Sequence, residues 1–228
     1  MSFMKKILLY HGSGKIVKIP EYGKGNAKND YGLGFYCTKK LDLAKEWACS
    51  EGSSGFANKY ELETSGLKIM RLNSNKYNIL NWLAILLENR TFDIKTPVAA
   101  QAKQYILENF MPDYKTYDII IGYRADDSYF SFSRSFLDNG ISLEQLKNAM
   151  HLGKLGEQIV LKSQNAFQKI SFLEAEAADG SIFFPKRKSR DTKARTAYLQ
   201  MLGQTQVQDS IYVMDLIRQN IKNNDPIL

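Results

Sequence analysis

The chain has 228 residues, of which 44% are hydrophobic and 24% charged, with a formal net charge of +7 and a pI near 9.2. This length allows one sizeable core with a small appended element. No run approaches the roughly 20 consecutive apolar residues that cross a bilayer. The stretch from Met1 to Tyr10 is too short, and too interrupted by lysines, for a secretory signal. We therefore expect a cytoplasmic protein with no membrane partner.

The two cysteines, Cys37 and Cys49, have no ligand spacing with either histidine. We expect both to be small buried side chains, with neither a metal site nor a disulfide framework. A modest basic excess is more typical of a solvated surface than of a nucleic-acid site. The one dense basic cluster, from Lys186 to Arg195, comes late and is interpreted as a linker or docking patch.

The first part of the chain predicts strands around a short helix. Residue types favour strands at Lys6–Tyr10 and, after a glycine-rich loop, at Gly34–Thr38. Asp42 is interpreted as the cap of a helix over Asp42–Ser50. Further strands are predicted at Lys59–Glu63 and Leu67–Leu72.

The middle of the chain changes to a helical period. Apolar spacing predicts a buried helix over Tyr77–Arg90, and Pro97 suits the first turn of a second helix ending at Phe110. Ser142 and Gln145 form a capping-box pattern for another helix. Strands are predicted at Asp118–Ile121, Gln158–Leu161 and Ile170–Leu173. Helices grouped between strands, without regular βαβ alternation, indicate an α+β fold.

The tail suggests a division of the chain into residues 1–180 and 181–228. Gly180–Asp191 mixes glycine, proline and basic residues, which predicts a basic linker. Short helices are predicted at Ala197–Leu202 and Gln208–Ile221. The second has an apolar face. We expect this face to pack on the same chain, in preference to joining two copies of the chain or docking another protein.

Two motifs near the start point to a family. "LYHGS" supplies His11-Gly12, and "DYGLGFYCTKKLDLAKEWA" supplies a glycine-rich turn, Tyr36 and an alanine-rich helix, in that order. This order resembles the amino-terminal signature of ADP-ribosyltransferases of the histidine-tyrosine-glutamate class, the group of diphtheria toxin and the poly-ADP-ribose polymerases. An uncharacterised bacterial family of that superfamily is similar through Asn81-Trp82-Leu83, Asn89-Arg90 and Ala125-Asp126-Asp127. The resemblance spans roughly residues 8–175.

The resemblance implies a fold, a co-substrate and a set of roles. The fold would be a split pair of small, mostly antiparallel sheets with a helical insertion, binding NAD without a metal. Gly12 would present its backbone to the carboxamide, His11 would bind a ribose hydroxyl, and Tyr36 would stack on nicotinamide. Ser13 and Tyr31 are weaker candidates for the cleft wall. Taken singly, such a histidine or tyrosine is more typical of a structural residue.

The third family motif, a glutamate opening a late strand, is altered. Here Gln158 directly precedes the apolar run and Glu157 stands one place earlier. Adjacent strand residues point to opposite faces, so we align Gln158 with the catalytic position and keep Glu157 as the alternative. Glutamine accepts a hydrogen bond but brings no charge. Asp126 or Asp127 could supply that charge, or could belong to a solvated turn.

The resemblance thus implies a toxin-like, NAD-dependent mono-ADP-ribosyltransferase acting on a macromolecular acceptor, protein or nucleic acid, with a cognate inhibitor protein. One alternative is a non-catalytic NAD-binding or interaction module on the same fold. Another is an RNA-processing phosphotransferase relative, which is set lower because the basic cluster lies outside the matched region. The tail after residue 180 is expected to lie outside the NAD site.

Overall fold

The computed structural model describes residues 6–125, 127–152, 156–203 and 210–228. Its strands are β1 (Lys6–Ser13), β2 (Phe35–Cys37), β3 (Gly55–Glu63), β4 (Ile69–Arg71), β5 (Ile119–Gly122), β6 (Gln158–Leu161) and β7 (Ile170–Ala178). Its helices are α1 (Leu41–Ala48), α2 (Ile79–Asn89), α3 (Pro97–Phe110), α4 (Asp127–Leu137), α5 (Leu143–Ala149), α6 (Gln164–Gln168), α7 (Gly180–Gly203) and α8 (Val213–Arg218).

The strands form two small sheets. One has the order β1-β3-β7 and is antiparallel, whereas the other has the order β2-β6-β5-β4 with only β4 and β5 parallel. The sheets meet where Tyr10 and Thr38 exchange backbone hydrogen bonds of 2.8 and 2.9 Å. With the helices α2 and α3 inserted between β4 and β5, this confirms the predicted α+β fold with a split pair of mostly antiparallel sheets.

The inserted helices supply much of the core. Every residue from Ile79 to Leu87 is buried, and Asn78 caps α2 by accepting from the backbone N–H groups of Leu80 and Asn81. Thr96 caps α3 directly before Pro97. These findings confirm the two helices predicted from the apolar period and from the proline. The buried cysteines, Cys37 and Cys49, also match the expectation.

Helix α1 lies directly against β1. A Cβ atom at Gly12 would stand 2.0 Å from the carbonyl oxygen of Ala44, so only glycine permits this approach. The interpretation of Asp42 as the cap was wrong, because Lys40 takes that position without a side-chain bond. Asp42 lies in the first turn instead, where a negative charge favours the helix dipole.

The segment predicted as a basic linker is instead part of α7, a helix with Pro185 inside it. It packs against α1, α4 and α5. Beyond it, Val213 and Leu216 of α8 and the following Ile221 are buried in the main core, so the tail packs on the same chain. No helix in the described ranges is long and apolar enough to cross a membrane.

Candidate functional site

A cleft of about 680 Å³ opens beside the junction of the two sheets. Its volume lies within the range of cofactor and ligand pockets. His11 and Gly12 from β1, Tyr36 from β2 and Gln158 from β6 all line it. The structure therefore brings together four of the residues that the sequence singled out.

His11 is held in a defined tautomer. Its Nδ1 lies 2.7 Å from the carbonyl oxygen of Tyr36, and since a carbonyl only accepts, we assign the proton to Nδ1. Burial lowers the pKa of the imidazole, which favours the neutral form. The ring also packs on Phe35, with 4.3 Å between centroids. The other nitrogen, Nε2, is thus a hydrogen-bond acceptor.

The backbone of Gly12 faces away from β3. Tyr10 uses its N–H and C=O for Thr38 of the other sheet. Strand residues two apart direct these groups to the same side, and in the part of the chain that the structure describes no backbone hydrogen bond joins Gly12 to β2. Gly12 therefore presents an N–H and a C=O to the cleft, a donor and acceptor pair that a carboxamide would match.

Tyr36 stabilises the glycine-rich turn from its place in the cleft wall. Its hydroxyl donates to the carbonyl of Gly32 at 2.5 Å and accepts from the N–H of Tyr31 at 3.1 Å. Burial is the largest cause that raises the pKa of this phenol, so it stays neutral. Gly32 has a φ of +72° and would meet Asn89 if it carried a Cβ. The ring of Tyr36 remains half-buried and available to a ligand.

Gln158 and Glu157 diverge at the start of β6. Gln158 is 6% exposed, lines the cleft, and its Oε1 has no hydrogen-bond partner within the described residues. The carboxylate of Glu157 accepts from Asn73 and lies 3.8 Å from the Nζ of Lys39. The strand pleat thus directs Gln158 into the cleft and Glu157 away from it.

Other candidates are placed elsewhere. The Ser13 hydroxyl donates to the carbonyl of Lys15 at 2.6 Å on the surface. Tyr31 is fully buried and donates to the carbonyl of Tyr123 at 2.6 Å, so it supports the site from behind. Asp126 and the side chain of Asp127 lie outside the described part of the chain.

The cleft contains a charged network that sequence reasoning missed. The buried carboxylate of Asp30 accepts from the N–H of Ala125 at 2.9 Å and lies 3.2 Å from Arg90. The guanidinium of Arg124 lies 3.6 Å from the ring centroid of Trp47. Asp30 thereby ties the turn before β2 to the segment after β5. In the sequence, only the position of Asp30 at the start of the motif "DYGLGFYCTKKLDLAKEWA" could have indicated this role.

Helix α7 forms the opposite wall, with Arg187, Lys188 and Arg190 among its lining residues. Arg190 donates to buried Glu46 of α1 at 2.9 and 2.6 Å. Asp191 accepts from the Ser128 hydroxyl of α4. These contacts bring the basic cluster to the cleft, while the expectation that the tail lies outside the NAD site stays a prediction. The cluster still lies outside the region of the resemblance, but because it lines the same cleft, its position in the sequence does not count against the RNA-processing alternative.

The comparisons place the chain in a family without assigning an activity. A family model described as "Protein of unknown function (DUF3990)" matches residues 7–172. Searches of curated proteins and of solved structures find no match for the chain. The family match includes the four central cleft residues and ends before α7. Because it covers more than half of the 228 residues, the chain belongs to the DUF3990 family of proteins of unknown function.

Proposed function

We propose that the protein is an NAD-dependent mono-ADP-ribosyltransferase related to the histidine-tyrosine-glutamate superfamily, with NAD as co-substrate and a macromolecule as acceptor. The observation that carries this proposal is the convergence of His11, Gly12, Tyr36 and Gln158 on one cleft. They come from three strands that are distant in sequence, β1, β2 and β6, and their convergence supports the roles that the resemblance implies.

The chemistry of each group suits one part of NAD. The outward N–H and C=O of Gly12 complement a carboxamide, which has one donor and one acceptor side. The acceptor nitrogen of His11 complements a ribose hydroxyl. The ring of Tyr36 offers a flat surface for nicotinamide, at little cost in conformational entropy. Arg90 and Arg124, which line the cleft outside α7, favour the pyrophosphate.

In the proposed transfer, the bond between C1′ of the ribose and the nicotinamide nitrogen breaks, and its electron pair leaves with nicotinamide. Positive charge develops on the ribose. A nucleophilic oxygen or nitrogen of the acceptor then forms the new bond to C1′ and releases its proton to solvent. Gln158 can orient a ribose hydroxyl through its Oε1, but it contributes no negative charge to this transition state.

A second candidate is an NAD-binding module that transfers nothing. The neutral side chain of Gln158 favours it, since the position begins a strand in the cleft where the superfamily has a glutamate. In that case the protein would bind NAD but would transfer ADP-ribose to no acceptor.

The binding step is tested with His11→Asn. An asparagine amide can still donate to the carbonyl of Tyr36 but has no acceptor where Nε2 lies. At about 100 times Kd, NAD should stabilise the wild type by about 2.7 kcal/mol, or about 5–10 °C in Tm. We expect His11→Asn to weaken binding at least about tenfold, through the loss of one hydrogen bond to a ribose hydroxyl.

The matched control is His151→Asn, which changes the other histidine, an exposed residue outside the cleft lining. It should keep the full stabilisation by NAD. Equal stabilisation of wild type and His11→Asn, with both folded, would contradict the proposed binding mode.

A further inference from the structure

Helix α7 is a cationic element in the wall of the cleft. Between Gly180 and Gly203 it carries Lys186, Arg187, Lys188, Arg190, Lys193 and Arg195 against one acidic residue, Asp191. The family match ends at residue 172. The helix therefore adds a positively charged surface to the cleft from outside the matched region.

Two of the cations that line the cleft are available to a ligand. Arg190 is bound to Glu46, and Arg195 lies 2.8 Å from Asp191. Within the described ranges, by contrast, neither Arg187 nor Lys188 forms an ion pair, although both line the cleft. Binding of an anion by these two side chains would break no existing salt bridge.

Aromatic rings lie beside these cations. The Nζ of Lys188 stands 4.9 Å from the ring centroid of half-buried Phe184, which also lines the cleft. Trp47 faces the cleft from α1 with Arg124 on its ring. Cationic side chains that follow a phosphate backbone, interleaved with rings on which bases stack, are typical of sites for single-stranded nucleic acids.

The same features disfavour two other ligands. A duplex keeps its bases stacked inside and cannot present one to a cleft of about 680 Å³ without unpairing it. An acidic peptide would satisfy the charges of Arg187 and Lys188, but it offers the rings of Phe184 and Trp47 nothing comparable to a stacked base.

We infer that the wall formed by Arg187, Lys188 and Phe184 binds the phosphate backbone and bases of a single-stranded nucleic acid, which is the acceptor. The acceptor role rests on the proposed function, whereas strand binding does not. In the transfer, an oxygen or nitrogen of the strand forms the bond to C1′ as nicotinamide leaves, and its proton passes to solvent.

The test compares two double variants of full-length protein that remove the same charge from α7. Arg187→Ala/Lys188→Ala changes the cleft wall, whereas Lys186→Ala/Lys193→Ala changes basic residues outside the lining. Binding of a fluorescein-labelled 12-nucleotide single strand is measured by anisotropy between 50 and 200 mM salt. NAD-dependent thermal stabilisation is measured on the same samples.

We expect the wall variant to bind the strand at least about tenfold more weakly, with a salt slope reduced by about 1.4, or about 0.7 for each lost phosphate contact. Its stabilisation by NAD should remain. The control should bind within about threefold of wild type. Equal weakening in both variants would indicate that binding depends on the total charge of α7 and not on the cleft wall, and would overturn the inference.

Three further results would also overturn it: no strand binding by the wild type, tighter binding of an acidic peptide of equal charge, or loss of NAD stabilisation alone in the wall variant. The last would assign the wall to the NAD pyrophosphate. Failure of the proposed function would give a different result. The wild type would then still bind the single-stranded nucleic acid, but NAD would not raise its thermal stability.

Discussion

Gln158 and Glu157 show how one position in a strand decides which side chain can act. Gln158 begins β6 opposite Gly122 and directs its Oε1 into the cleft. Glu157 lies before the strand and is held by Asn73 and Lys39. Glu157 therefore directs no negative charge into the cleft, and the neutral amide of Gln158 supplies none.

Introducing a carboxylate at position 158 tests this conclusion. We expect Gln158→Glu to raise NAD cleavage at least about tenfold, because a charge near the developing oxocarbenium ion stabilises the transition state. Glu157→Gln removes a charge of the same sign one residue away and should change cleavage less than about twofold. The measurement is nicotinamide release over time. A loss of cleavage in Glu157→Gln would show that Glu157 is the acid.

The candidate site was predictable where residues match the motifs of the resemblance in their order along the chain. His11, Gly12, Tyr36 and Gln158 could be selected in this way, and all four line the cleft. Asp30, Trp47 and Arg124 could not, because their roles depend on contacts between segments distant in sequence. Tyr31 was selected by its neighbours in the motif, but its hydroxyl bonds to Tyr123 inside the protein.

Among the elements, α7 differs most from its prediction. Glycine, Pro185 and a run of cations are typical of a loop, and the helix shows no continuous apolar stripe. Pro185 removes one backbone donor, yet specific contacts hold the helix in place. Arg190 binds Glu46, Asp191 binds Ser128, and Tyr198 stacks on Phe132 at 4.0 Å. Such contacts cannot be read from local sequence.

The pair between Arg190 and Glu46 is expected to dominate this attachment. Glu46 is 2% exposed, so Arg190→Ala leaves a buried carboxylate without its cation. We expect the free energy of unfolding to fall by about 3–5 kcal/mol. Arg195→Ala removes the same residue type from a solvent-exposed pair with Asp191 and should cost less than about 1 kcal/mol. Urea denaturation measures both, and equal losses would contradict this role.

The helix predictions were confirmed where the apolar spacing and a capping side chain indicate the same helix. Helices α2, α3 and α5 have both apolar spacing and a capping side chain at Asn78, Thr96 or Ser142. Helix α4 was not predicted, because "DSYFSFSRSFL" combines serine with aromatic residues that favour strands. Its buried rings, including Phe132 and Phe136, show that tertiary packing overrides this preference.

Across the whole molecule, the cleft follows from the way the two sheets part. Tyr10 and Thr38 bridge β1 and β2, and beyond this bridge residues 11–13 and Phe35–Cys37 share no further backbone hydrogen bond within the described residues. The α+β class was predictable from the order of elements. Neither the pairing of strands distant in sequence nor the return of α7 to this opening could be deduced from local patterns. The division of the chain near residue 180 stays a prediction, although the tail shares the main core.

The central claim, that NAD occupies this cleft, is tested most directly by a fluorescence titration. The chain has two tryptophans. Trp47 lines the cleft, whereas Trp82 is fully buried, so Trp82→Phe leaves Trp47 as the single indole. We expect NAD to change the emission of Trp47 along a saturable one-to-one curve, because ligand bases displace water beside the ring. Trp47→Phe should show no such change. A folded Trp82→Phe protein whose emission NAD leaves unaltered, or an equal response in Trp47→Phe, would contradict the claim.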